Sequence, residues 1–171
     1  MSIRVGINGF GRIGRLVYRQ AVEAGLEIVA VNDLVPADNL AYLLKYDTMH
    51  GRFMLGGKQA EVSATENSFT VNGKTTKTMA EQDPSKLPWK DMGVHYVLES
   101  TGLFTDFEKA SAHVNAGAKR VIISAPTKSE PAQVPTVCLG VNHESFDAGK
   151  HTVVCNASCT TNCLAPIAKV I

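Results

Sequence analysis

Two stretches of this chain carry residue types arranged for chemistry. Near its C-terminal end, Asn156-Ala157-Ser158-Cys159-Thr160-Thr161-Asn162-Cys163 sets a cysteine among small polar residues, directly before an apolar run of Leu164, Ala165, Ile167, Ala168, Val170 and Ile171. A thiol in the first turn of a helix lies beside unpaired backbone N–H groups and the positive end of the helix dipole, which favours thiolate over thiol. Cys159 is therefore a candidate nucleophile, although the pattern alone also suits an inert cysteine behind an N-cap. Near the N-terminus, Gly9-Phe10-Gly11-Arg12-Ile13-Gly14 has the G-x-G-x-x-G spacing of a phosphate-cradling turn. Gly9 permits a tight turn, Gly11 lets the backbone approach a pyrophosphate, and Gly14 lets a helix pack closely on a strand. Asp33 adds a carboxylate that can accept hydrogen bonds from both hydroxyls of an adenosine ribose and would repel a 2′-phosphate, which favours NAD over NADP.

Those residues need elements to position them, and the flanking patterns supply them. Ile3 to Asn8 is a β-branched run that reads as a buried strand, and it leads directly into Gly9. Ile13, Leu16, Val17, Ala21 and Ala24 give one apolar helix face, stopped by Gly25. A second strand, Glu27 to Asn32, delivers Asp33. The order strand, glycine turn, helix, strand, acid is that of a dinucleotide-binding unit, and its helix N-terminus would supply N–H donors to phosphate. A short helix is expected within Pro36 to Asp47. Between Ala60 and Ala80 short alternating runs around Asn72-Gly73 predict an antiparallel excursion within the same domain. The parallel pattern resumes at Val94 to Leu98, then a helix from Asp106 to Gly117 with Phe107, Ala110 and Val114 inward, then a strand from Arg120 to Ser124. Thr136 to Val141 and Thr152 to Cys155 are expected to complete the sheet. Ser100, Thr101 and Ser124 stand at strand ends where an open α/β sheet takes its ligand, or serve as turn-forming hydroxyls. The fold class is thus a Rossmann-type, doubly wound, mainly parallel α/β sheet. The dinucleotide-binding domain is expected over 1–156, with 157–171 beginning a further domain. Trp89, the single tryptophan, reads as packing.

Bulk properties exclude several classes. With 17 basic against 16 acidic residues, a net charge of +1 and no basic block, nothing points to nucleic acid or an anionic membrane. No apolar run approaches the roughly 20 residues of a membrane span, and Met1 to Val5 lacks a secretory core. The four cysteines do not spread into a disulfide framework, so a reduced, cytoplasmic protein is expected. Cys155, Cys159 and Cys163 are four apart, which is not a common zinc spacing, and no metal is expected.

The motifs, in their order, resemble those of phosphorylating glyceraldehyde-3-phosphate dehydrogenase. Asn8 to Arg15, Lys45-Tyr46-Asp47-Thr48 with His50-Gly51, Glu99 to Gly102, Ser124-Ala125-Pro126, Gly140-Val141-Asn142 and Ala157 to Cys163 carry the resemblance across the whole chain. It implies a glycolytic, cytoplasmic homotetramer that uses NAD and inorganic phosphate to convert glyceraldehyde 3-phosphate to 1,3-bisphosphoglycerate through a thiohemiacetal and thioester on Cys159. It further implies that Ser158 and Thr160 contact substrate or phosphate and that the Cys159 N–H helps hold an oxyanion. Arg12 and Ile13 would contact pyrophosphate, Asp33 ribose, and Ser124 the nicotinamide end. Gln82 stands where many members have arginine beside adenine, and Thr127 to Thr136 looks longer than in common relatives. The family is about twice as long and carries its thiol-activating histidine in its second half. None of His50, His95, His113, His143 and His151 matches that role, and each is expected on a surface loop. Two alternatives remain: a nucleotide-binding module without turnover of its own, and the related erythrose-4-phosphate dehydrogenase, against which Asp33 argues because that relative typically has glutamate there.

Overall fold

Apolar, β-branched runs bounded by glycine, asparagine and aspartate become strands, and the segments between them with helical periodicity become crossovers. The computed structural model describes residues 2–171. In chain order the elements are β1 (Arg4–Asn8), α1 (Arg12–Glu23), β2 (Glu27–Asn32) and α2 (Ala37–Lys45), then two small hairpins, β3 (Tyr46–Asp47) with β4 (Gly51–Arg52) and β5 (Met54–Leu55) with β6 (Lys58–Gln59). They continue with β7 (Val62–Thr65), β8 (Ser68–Val71), β9 (Lys74–Met79), β10 (Tyr96–Glu99), α3 (Phe107–Asn115), β11 (Arg120–Ile123), β12 (Val153–Cys155) and α4 (Cys159–Val170).

One eight-stranded sheet runs β12-β11-β10-β1-β2-β9-β8-β7. Its first six strands are mutually parallel, and β8 and β7 fold back antiparallel from β9. The expected antiparallel excursion is therefore an extension of the main sheet. It turns at Asn72 and Gly73, whose φ of 46° and 82° suit a two-residue hairpin loop. The chain builds outward from β1 through β2 to β9, then crosses back to place β10 on the other side of β1. The strand order reverses between β1 and β10, and such a reversal opens a crevice beyond the strands' C-terminal ends.

Three apolar clusters hold this sheet. Tyr18 of α1 and Leu40 and Leu44 of α2 cluster with Ile7, Phe10, Val31 and Phe69, while Ala30 of β2 and Val97 of β10 cluster with Trp89 and Val94. Ala110, Val121, Ile123, Val153 and Cys155 seat α3 on the last strands. Trp89 is fully buried, and a Cβ on Gly6 would lie 2.7 Å from its ring, so the indole lies flat on β1.

Three expectations need correction. The buried face of α1 is Gly14, Tyr18, Arg19 and Ala21, whereas Ile13 is 46 % exposed and Ala24 is exposed. Burial here follows the close approach at Gly14 and the Tyr18 hydroxyl, which pairs with Thr76 Oγ1 at 3.0 Å, rather than the aliphatic residues alone. Thr136 to Val141 is not a strand. Only Thr136 bridges to Cys155, and the rest is a turn with Gly140 at φ 81° in which Asn142 ties Cys138 N–H to the Thr136 carbonyl. His113, finally, lies within α3 and is fully buried, not on a loop.

Candidate functional site

The glycine turn is built from both sides. Gly9 has φ 89°, and a Cβ there would lie 2.7 Å from the Thr101 nitrogen. A Cβ on Gly14 would lie 2.1 Å from the Gly9 carbonyl oxygen, so α1 can pack on the turn only through glycine. Phe10 is driven into the core against Tyr18 and Phe69, with ring centroids 5.6 and 5.5 Å away. Burial of Tyr18 pushes its hydroxyl pKa upward. Asp33 braces the turn from β2: its carboxylate accepts the Phe10 N–H at 2.6 Å and the Val35 N–H at 3.1 Å.

Around this turn lies a cleft of about 670 Å³. Asn8, Gly9 and Gly11 come from the end of β1, Asn32, Asp33 and Leu34 from β2, and Glu81 and Gln82 from the segment after β9. Ser100, Thr101, Leu103 and Phe104, following β10, close the far wall. The cleft straddles the point where the strand order reverses. Gly11 caps α1 with no side-chain hydrogen bond, no acid stands in the first turn, and a Cβ at Gly11 would meet nothing within 4 Å. The unspent amides of Arg12 and Ile13 and the open space beside Gly11 fit a pyrophosphate, and the Asp33 carboxylate at the cleft wall fits a ribose. When bound, a nicotinamide dinucleotide supplies a hydride acceptor.

Of the residues singled out by sequence, Gly9, Gly11, Asp33, Gln82 and Thr101 line this one cleft, and Arg12, Ile13 and Gly14 form the adjoining helix turn. The Thr101 hydroxyl is committed: it donates to Glu99 and accepts the Leu103 N–H at 3.1 Å. Ser124 follows β11 and donates its N–H to the Glu99 carbonyl at 2.9 Å, outside the cleft wall. Sequence reasoning gave no site role to Asn8, Asn32 and Glu99, polar residues at the ends of β1, β2 and β10, each under 5 % exposed. A polar residue closing each apolar strand run was the available signal.

The second stretch forms the corner between β12 and α4, at the same C-terminal edge of the sheet. Ala157 adopts φ 59° although it is not glycine, and it is buried. Ser158 is the N-cap of α4, its hydroxyl oxygen accepting the Thr161 N–H at 2.9 Å. Asn162 stitches the turn by donating to the carbonyls of Asn156 and Ser158. Cys159 therefore occupies the first helical position with its thiol exposed, and its Sγ lies 4.0 Å from Thr160 Oγ1. No histidine bonds to that sulfur among the described residues. Among the same residues no helix is long and apolar enough to cross a membrane, and no group of three or more His, Cys, Asp or Glu is gathered for a metal.

Fold and cleft together define a dinucleotide-binding α/β domain of the doubly wound class. Residues 3–107 match the family described as glyceraldehyde 3-phosphate dehydrogenase, NAD binding domain, and the chain belongs to that family, with NAD as its cofactor. The chain is 56 % identical to glyceraldehyde-3-phosphate dehydrogenase 1 of Trichormus variabilis, covering 99 % of this chain and 48 % of that protein. It is 57 % identical to glyceraldehyde-3-phosphate dehydrogenase 1 of Bacillus cereus over 98 % of this chain and 48 % of the relative. With glyceraldehyde-3-phosphate dehydrogenase of Geobacillus stearothermophilus it shares 54 % identity, over 100 % of this chain and 49 % of that protein. The chain thus spans about half the length of the curated relatives it matches.

Proposed function

We propose that this chain carries the cofactor cleft and the nucleophilic thiol of a glycolytic, NAD-dependent, phosphorylating glyceraldehyde-3-phosphate dehydrogenase. The observation that carries the reading is Cys159 at the first position of α4, exposed, on the same sheet edge as the cleft. Residues 1–156 hold the cofactor, with Gly9, Gly11 and Gly14 shaping the turn, Arg12 and Ile13 donating to pyrophosphate, Asp33 accepting from ribose, Gln82 and Thr101 bordering the adenosine end, and Ser124 facing the nicotinamide end. Residues 157–171 open the catalytic domain.

The Cys159 thiolate adds to the aldehyde carbon of glyceraldehyde 3-phosphate, forming a carbon–sulfur bond and a thiohemiacetal whose oxygen lies toward the Cys159 N–H. The adduct carbon would give its hydride to bound NAD and, with loss of the hydroxyl proton, a thioester would remain on Cys159. Inorganic phosphate, held with Ser158 and Thr160, attacks the thioester carbonyl, and the sulfur departs as thiolate with release of 1,3-bisphosphoglycerate. Covalent capture divides one difficult step into two easier ones. The assembly is a homotetramer of the cytoplasm.

The test is competitive alkylation. Cys159 and Cys163 are both exposed, one turn apart on α4. Limiting iodoacetamide followed by peptide mass mapping is expected to label Cys159 well ahead of Cys163, because only Cys159 lies in the first turn. Equal labelling of the two would remove the basis for a nucleophilic role. With no imidazole bonded to Sγ among the described residues, a second statement concerns the 171-residue chain alone: it binds NAD weakly at best and turns over no glyceraldehyde 3-phosphate. Phosphate-dependent NADH formation by the purified chain would overturn that statement.

A further inference from the structure

Behind the cleft runs a buried polar chain that the proposed chemistry does not use. It converges on the Glu99 carboxylate, and its hydrogen-bond directions follow from its two ends. At one end the Glu81 N–H can only donate, and it donates to Asn32 Oδ1 at 2.8 Å. The Asn32 amide therefore points its Nδ2 to the Glu81 carbonyl at 2.8 Å and to Asn8 Oδ1 at 2.7 Å. Asn8 Nδ2 must then face Glu99 Oε2, 2.6 Å away. At the other end the Trp89 indole N–H, which only donates, meets His113 Nδ1 at 3.0 Å. Nδ1 is thus the acceptor, Nε2 bears the proton and donates to Glu99 Oε2 at 3.0 Å, and the imidazole is neutral. Asn8 Nδ2 lies 3.4 Å from Nε2, two donors sharing one oxygen. The second oxygen, Oε1, accepts the Thr101 N–H at 2.8 Å and the Thr101 hydroxyl. Four donors aimed at two oxygens mark Glu99 as an ionised carboxylate.

Both side chains of the Glu99–His113 pair are fully buried, and no lysine or arginine pairs with Glu99 among the described residues. A buried charge without a cationic partner is an expensive way to fill a core, and apolar groups of similar volume commonly serve stability as well or better. The network's placement explains it differently. Asn8, Asn32, Glu81 and Thr101 all line the cleft, and they come from four separate segments. His113 also stands edge-on to Phe104 of the far wall, with ring centroids 6.4 Å apart.

We infer that Glu99 and His113 are positioning residues for the dinucleotide cleft: one carboxylate, oriented by a neutral imidazole that Trp89 locks in a single tautomer, holds the Thr101 wall and, through Asn8 and Asn32, the Glu81–Gln82 wall at the spacing the ligand requires. The inference rests on the cleft being the NAD site. Neither residue is a catalytic group, since each acts through its neighbours.

The experiment is an equilibrium NAD titration of the full 171-residue chain, carried to millimolar ligand, on wild type, His113→Leu and His113→Gln. Leucine removes both bonds while keeping an apolar fill, whereas glutamine can accept from the indole and donate to the carboxylate. His113→Leu is expected to raise the dissociation constant at least tenfold with an unchanged circular dichroism spectrum, and His113→Gln to recover most of that loss. Wild-type affinity in a folded His113→Leu protein would overturn the inference while leaving the cleft reading intact; absence of NAD binding by the wild type would overturn both. A second readout needs no variant. Trp89 is the only tryptophan, and its indole N–H donates to His113 Nδ1, so its emission reports on the network directly. Saturating NAD is expected to change that emission, because the network braces both walls of the cleft. A Trp89 emission spectrum unchanged by saturating NAD counts against a positioning role even if every variant misfolds.

Discussion

The molecule has two strand-to-helix corners that expose chemistry at one edge of its sheet, and they are built in opposite ways. Between β1 and α1 the reversed backbone falls on Gly9 at φ 89°, the helix begins at an uncapped Gly11, and the first-turn amides stay available. Between β12 and α4 the reversed backbone falls on Ala157 at φ 59°, and Ser158 spends its hydroxyl on the first turn. One corner leaves donors for a ligand to satisfy. The other satisfies its donors and holds a side chain, Cys159, in the dipole's field. The same element boundary thus serves as an anion cradle or as a platform for a thiol, according to whether the N-cap residue uses the amides itself.

Substitutions that exchange these properties should break the comparison. The largest effect is expected from Gly14→Ala, whose Cβ would fall 2.1 Å from the Gly9 oxygen. Overpacking of this kind costs about 1–3 kcal/mol, and displacement of α1 should weaken NAD binding at least tenfold by calorimetric titration. Next is Gly11→Ser, which imports the α4 design. The open space at Gly11 admits the side chain, and the new cap should raise stability by a few tenths of a kcal/mol on the scale of N-cap exchanges while competing with phosphate for the same amides. Improved melting together with weaker NAD binding is the expected pair of results; unchanged NAD binding would show that those amides do not serve the ligand.

Ala157→Gly tests the other corner. A left-handed non-glycine residue costs about 1–2 kcal/mol, partly offset by the roughly 0.5–1 kcal/mol that glycine loses in chain entropy. A rise in melting temperature of a few degrees is expected, whereas Gly9→Ala, at the left-handed residue of the first corner, should lower it. The smallest effect concerns pH. A third corner, leading into α3, is capped by Asp106, which accepts the Lys109 N–H and pairs with the Lys109 ammonium, and these two contacts hold its pKa below the usual carboxylate value. Because the folded value is depressed, the stabilisation is complete above the unfolded carboxylate pKa of about 3.9 and is lost as pH falls through the folded value. Asp106→Ser should therefore show less acid-dependent loss of melting temperature below about pH 4, the unfolded carboxylate range, because a hydroxyl cap does not titrate there.

Local patterns were legible where one segment dictates its own shape. The run from Ile3 through Gly14 to Asp33 announced β1, the turn, α1 and β2, since glycine at a reversed φ and a β-branched run leave few conformations open. Asn72-Gly73 announced its hairpin for the same reason. The reading failed where a partner decides. Thr136 to Val141 has strand-like residues, but Asn142 competes for its backbone groups. On α1 the buried side was chosen by Phe10 and Phe69 packing on Tyr18, not by the helix's aliphatic count. Cleft residues of the glycine turn and the acid were assigned roles, whereas Asn8, Asn32 and Glu99 were not.

From sequence alone come the residue types, the order of elements and the positions of the glycine turn, the acid and the cysteine, because each rests on backbone preferences spanning a few residues. Tertiary structure alone decided that β10 returns beside β1 and opens the cleft. It also buried His113 against Glu99 across 14 residues of chain and Glu99 against Asn8 across 91, contacts that no local propensity encodes. The physical reason is that a buried polar group must find its partner wherever packing brings one, and that choice is made by the whole fold.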